Sequence, residues 1–249
     1  MSDGQHPGDA GPGTEEAGPG TVERMRRHEH DHEIPWSLPI VVRRSKAHPS
    51  RHIDVLEATA RAVVTFLDDP RSHPRGQWHE AVEHWRDGAI RKVVRRGDGR
   101  KFEEAKALGC VSVIHGGSDG FAPAEVLVFP PGPVKPLPKE LAKLQVGGTE
   151  FPDDGESAVP AAEAVVTIEI TPLVSLTSGK AAAQCGHAAQ LAYEQMPAES
   201  RQRWRESGFA LRVVRPSREE WAANVRPVRV VDAGFTEVDG PTETTRAFW

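Results

Sequence analysis

The sequence predicts an α/β protein built from two diverged copies of one small mixed β-sheet unit, with helices packed on each sheet. Apolar strands alternate with helical segments along most of the chain. WRDGAIRKVVR, starting at Trp85, matches WRESGFALRVVR, starting at Trp204, and VSVIHGG at Val111 matches VRVVDAG at Val228, in the same order and at similar spacing. A Gly-, Pro- and acid-rich stretch from Gly147 to Glu163 separates the two matched blocks.

Taken in order, residues 1–34 are rich in Gly, Pro, Glu and His without apolar periodicity, a composition expected to stay disordered. Within them His28, His30 and His32 alternate, but no further ligands follow at structural metal-site spacing, and a solvated tail is the expectation. Residues 35–146 form the first copy, 147–162 a linker and 163–249 the second copy. Each copy reads strand, helix, strand, short helix, strand, turn, strand. In the second copy the strands are expected near Val165–Ile170, Ala210–Arg215, Val228–Val231 and Thr244–Phe248. The first helix of that copy should run from about Gly179 to Met196, where Pro197 ends it; its alanines permit close packing on a sheet. Ser217 with Glu220 three residues later resembles a capping box that starts the next helix.

Composition narrows the class of function. Charged residues make up 27% of the chain, and no apolar run approaches the roughly 20 residues that cross a bilayer, so a soluble, cytoplasmic protein is expected. Two cysteines, Cys110 and Cys185, are too few for a disulfide framework. The net charge of -5 hides an uneven distribution. Lys and Arg outnumber Asp and Glu 18 to 13 in residues 35–146, against 10 to 11 in residues 163–249.

Two segments carry residues suited to chemistry. Lys180 stands at a helix start, with Gln184 four and His187 seven residues on, all on one face. A lysine there opposes the helix dipole, so it either binds an anion or extends into solvent. Asp232 follows the strand VRVV, at a strand end where α/β sheets place functional groups or where a carboxylate caps a turn.

GKAAAQCGHA from Gly179 is similar to the GK-x-AAQC-x-HA signature of type-2 peptidyl-tRNA hydrolases, and DAGFTEVDGPTETT from Asp232 resembles that family's DAG-x-T turn and the Thr-bearing strand after it. The resemblance covers Val165 to the C-terminus. It implies hydrolysis of the ester between a peptide, or an N-blocked amino acid, and the 3′-terminal ribose of tRNA, without metal or other cofactor. It further implies that Lys180, Asp232 and Thr236 are catalytic and that Gly179, Gln184, His187 and Thr244 line the substrate site. The chain departs from the pattern in TPLVSLTS, which lacks the family's Arg and Asp, and at Phe235, where Arg is usual.

In the first copy the positions matching Lys180, Gln184, Asp232 and Thr236 are His52, Leu56, His115 and Asp119, so no catalysis is expected there. That copy carries APAEVLVFPPGPVKPLPKELAKL, similar to the family's closing segment, which suggests that the copies pair as an intrachain pseudo-dimer. Arg43, Arg44, Lys46, Arg91, Lys92, Arg95 and Arg96 are candidates for tRNA phosphate contacts, or simply a solvated face. Two functions follow from the resemblance: a hydrolase, or a relative that binds tRNA or RNA without cleaving it.

Overall fold

A computed structural model describes residues 1, 34–118, 120–152, 155–232 and 241–249. The His-bearing tail, Asp119 and Thr236 lie outside the described residues.

The first copy comprises β1 (Trp36–Arg43), α1 (His52–Asp68), α2 (His79–Asp87), β2 (Lys92–Gly97), α3 (Gly99–Lys106), β3 (Val111–His115) and β4 (Ala124–Val128). A short strand β5 (Gly132–Pro133) and helix α4 (Lys139–Ala142) close it. The second copy comprises β6 (Val166–Ile170), α5 (Ser178–Gln195), α6 (Ala198–Glu206), β7 (Leu211–Val214), α7 (Arg218–Ala223), β8 (Val228–Asp232) and β9 (Thr242–Phe248). The sheet orders are β2-β1-β4-β3 and β7-β6-β9-β8. In both, the first pair is parallel and the other two are antiparallel. The repeat expected from sequence is therefore a repeat of topology.

Helices α2 and α6 have no counterpart in the sequence reading, and their composition explains why. HEAVEHWRD and AESRQRWRE are strongly polar, so neither shows a wide apolar stripe. Each is pinned by one buried tryptophan, Trp85 and Trp204. The indoles donate to the carbonyls of Arg91 and Ala210 at 3.0 and 2.9 Å, so both copies use the same anchor just before the second strand. The capping box at Ser217 and Glu220 is present.

Each sheet presents alternate residues to a shared interior. Leu38, Ile40 and Val42 of β1 and Val166, Ile168 and Ile170 of β6 face α1 and α5, and all belong to one continuous cluster. The two helices pack on each other between the sheets. Small residues make that approach possible: Ala58, Ala60 and Ala62 on α1, and Ala181, Ala182, Ala188, Ala189 and Ala192 on α5, are buried. At Gly186 an added Cβ would lie 3.2 Å from Val63 Cγ2 and 3.3 Å from Lys92 Cδ. The copies therefore pair within the chain as sheet, two helices, sheet.

The connection between them is built into this arrangement. Thr149 and Phe151 are buried, Gly179 N–H donates to the Thr149 carbonyl at 3.1 Å, and His52 N–H donates to the Pro152 carbonyl at 2.6 Å. Among the described residues no helix is long and apolar enough to cross a membrane.

Candidate functional site

Helix α5 lies along the inner face of the second sheet, and its Gln184 is the residue that joins the parts of the expected site. Gln184 Nε2 donates to Asp232 Oδ2 at 2.8 Å, while its Oε1 accepts from the Thr244 hydroxyl at 2.7 Å. The Thr245 hydroxyl donates to the Gln184 backbone carbonyl at 3.1 Å. Gln184, Thr244 and Thr245 are buried. A hydroxyl that donates to the amide oxygen leaves the amide NH2 toward the carboxylate, so Thr244 sets the orientation of Gln184, which in turn holds Asp232.

Lys180 lies one helical turn before Gln184 on the same helix face, in the first turn of α5. Thr177 caps that turn by accepting the Lys180 N–H at 3.4 Å. Lys180 and Asp232 are both half-buried. Gly179 is closely packed: a Cβ there would lie 3.0 Å from Thr149 Cβ, because the connecting segment crosses over the helix start.

His187 is placed elsewhere. It is buried between the copies, with Nδ1 3.2 Å from Lys92 Nζ. Burial, then the neighbouring Lys92, drives its pKa well below the ordinary imidazole value, so it stays neutral and accepts from the ammonium. Lys92 also donates to Gln190 Oε1. Burial lowers the Lys92 pKa to about 7, with Glu194 opposing the shift and Arg86 adding to it. Lys92 is thus a buried interface group and cannot serve as the surface phosphate contact that its sequence suggested.

Other cations of the first copy are engaged internally as well. Arg43 pairs with Glu103 and Glu125, Arg44 Nε donates to the Glu150 carbonyl, Arg95 to the Leu144 carbonyl, and Arg96 to Gln145 and Gly147. Arg44 and Arg96 brace the connecting segment against the first sheet, while Arg43 and Arg95 bond within the first copy. The position matching Asp232 is also internally satisfied. His115 Nε2 meets Glu57 Oε2 at 2.8 Å and its Nδ1 meets Arg61 at 2.9 Å. Since arginine can only donate, His115 Nδ1 accepts and Nε2–H donates to Glu57. Beside it, Arg51 and the Gly117 N–H both donate to Asp54, whose carboxylate fills the space next to Gly116.

A cavity of roughly 360 Å³ opens beside the start of α5, lined by His52, Glu150, Thr171, Ser175, Ser178 and Arg215 among others. Ser178 Oγ sits 2.8 Å from His52 Nδ1, 3.1 Å from Glu150 Oε2, and accepts the Phe151 N–H at 3.0 Å. His52 of the first copy therefore lines a cavity otherwise formed by the second copy and the connecting segment. Nothing in the sequence points to this, because the two residues are 126 positions apart.

The chain matches no protein-family model, no curated protein and no solved structure.

Proposed function

We propose that the chain is a peptidyl-tRNA hydrolase of the type-2 kind, which cleaves the ester joining a peptide or N-blocked amino acid to the 3′-terminal ribose of tRNA. The observation that carries the reading is the Thr244-to-Gln184-to-Asp232 chain of hydrogen bonds, which holds a carboxylate against α5 at the residue one helical turn after Lys180. Ester hydrolysis needs a positioned water and a cation or N–H donor where negative charge develops on oxygen. Lys180 supplies the cation, and Asp232 orients Lys180 or accepts the proton of the attacking water. The adjoining cavity, with Arg215 and the hydroxyl-bearing loop 171–178, receives the ribose and acyl group.

The loop from Thr171 to Ser178 offers no cation or carboxylate of its own, which favours, as a second reading, a relative that binds the acceptor end of tRNA without cleaving it. Incubating the purified chain with N-acetyl-aminoacyl-tRNA and following release of the acyl group separates the two. Hydrolysis that falls at least ~100-fold in both Lys180→Ala and Asp232→Ala supports the enzyme. Retained tRNA binding with no release in the wild type supports the second reading, and full activity in both variants overturns the assigned site.

A further inference from the structure

The outer face of the second sheet, turned away from α5, carries charge where the first sheet carries core. Counted from the matched registers Leu38 to Lys92 and Val166 to Leu211, Glu169 occupies the place of Val41 and Arg246 that of Leu127. Val41 and Leu127 are buried with Phe102, Leu141 and Leu144 under α3 and α4. A cavity of roughly 610 Å³ lies along the β7 edge of the second sheet, lined by the outer-face residues Glu169, Arg212 and Val214, by Arg226, and by Ile53 of α1 and residues 155–157 of the connecting segment. That is the size of a small-molecule site.

Its charges are only partly used. Arg226 Nε donates to Glu169 Oε1 at 3.0 Å, and the Glu220 carboxylate accepts the Ser217 N–H of its capping box. Arg212, in contrast, has no ion pair among the described residues, and its Nε is buried without a hydrogen-bond partner. Glu169 Oε2 is likewise buried and without a partner, in a residue only 4% exposed. A guanidinium donor and a carboxylate acceptor left open at one cavity each cost free energy unless a bound molecule or water completes them. Arg215 lines both this cavity and the one beside α5, so the two adjoin at that residue.

We propose that this cavity is a binding site for a small organic oxyanion, a carboxylate or a phosphate ester that also carries an N–H donor. Its oxygens take the fork of Arg212, and its donor completes Glu169. The proposal does not rest on the hydrolase reading, because neither Lys180 nor Asp232 lines this cavity, although Arg215 borders both cavities.

Titration calorimetry on the full chain with N-acetylphenylalanine (carboxylate with N–H), adenosine monophosphate (phosphate with N–H), acetate and sulfate tests this and separates the two oxyanion sources. At least one of the first two should saturate, bind tighter than acetate and sulfate, and weaken ~10-fold or more in Arg212→Gln. Arg212→Lys, which keeps the charge and loses the fork, should weaken binding less, and Lys180→Ala should leave it unchanged. The proposal is overturned if neither organic anion saturates below ~10 mM, a limit beyond which binding carries little free energy. It is also overturned if acetate or sulfate binds as tightly, or if folded Arg212→Gln and Arg212→Lys both bind like the wild type.

Discussion

Lys92 of the first copy reaches across to His187 of the second, Nζ to Nδ1 at 3.2 Å, in an interior that excludes water from both. The pair ties β2 to α5 and is one of several polar contacts between the copies, beside His52 with Ser178 and the Val213 N–H with Glu57. Leu211 takes the place of Lys92 in the second copy's register, so the ammonium breaks the symmetry of the repeat.

The burial of Lys92 makes stability depend on pH. Its pKa of about 7 in the folded protein lies below the ordinary lysine value of 10.5, so between these values the unfolded chain holds the extra proton. Stability should rise with pH across that window, and the penalty should be fully present below it. Lys92→Met should stabilise the protein by on the order of 2–4 kcal/mol near pH 7, less the lost bonds to Gln190 and His187, and by under about 1 kcal/mol near pH 10. Urea unfolding at the two pH values measures it; an equal gain at both would show that Lys92 is not held with a depressed pKa.

Gln184 should matter to both stability and reaction. Gln184→Leu, which installs the residue found at the matching position Leu56, leaves the buried Thr244 hydroxyl and the Asp232 carboxylate short of a partner. The cost should be about 1–3 kcal/mol by denaturant unfolding. Acyl release from N-acetyl-aminoacyl-tRNA should fall by at least ~10-fold, chiefly in kcat, because Asp232 loses its orienting donor.

Gly186 sets the distance between α1 and α5. Gly186→Leu drives a branched side chain into Val63 and the Lys92 stem, and should destabilise by about 1–3 kcal/mol or more in thermal unfolding. Glu199→Leu at the exposed first turn of α6, which removes only a solvent-exposed ion pair with Arg203, should change stability by less than about 1 kcal/mol.

The two tryptophan anchors should behave alike. Trp85→Phe and Trp204→Phe each lose one indole hydrogen bond to a carbonyl and should cost about 1 kcal/mol. Alanine at either site should cost about 3–5 kcal/mol by leaving a cavity. Unfolding that starts in one copy only would appear as unequal effects of the two substitutions on the transition midpoint.

The strands of both copies and the long helix α5 were legible in the chain because their patterns are local: β-branched runs between breakers, an alanine-rich face, a proline stop and a capping box. The repeat was legible because the tryptophan and strand-end positions recur in order. Lys180, Gln184 and Asp232 could be picked out by resemblance, but the bond from Gln184 to Asp232 spans 48 positions and exists only once β8 and α5 share a sheet face. Helices α2 and α6 escaped notice because one tryptophan each, and not an apolar stripe, secures them.

Sequence alone determined the strands and the helices that carry a local period, cap or stop, since period and breakers act within a few residues; α2 and α6, each held by a buried tryptophan, needed the fold. Only the tertiary structure decided which side chains share a dielectric environment. It buried Lys92 and His187 together, spent Arg43, Arg95 and Arg96 on carboxylates and carbonyls, and brought His52 to Ser178 across the interface. The physical reason is that desolvation and pairing depend on distance in space, which the order of residues does not encode until the sheets close on α1 and α5.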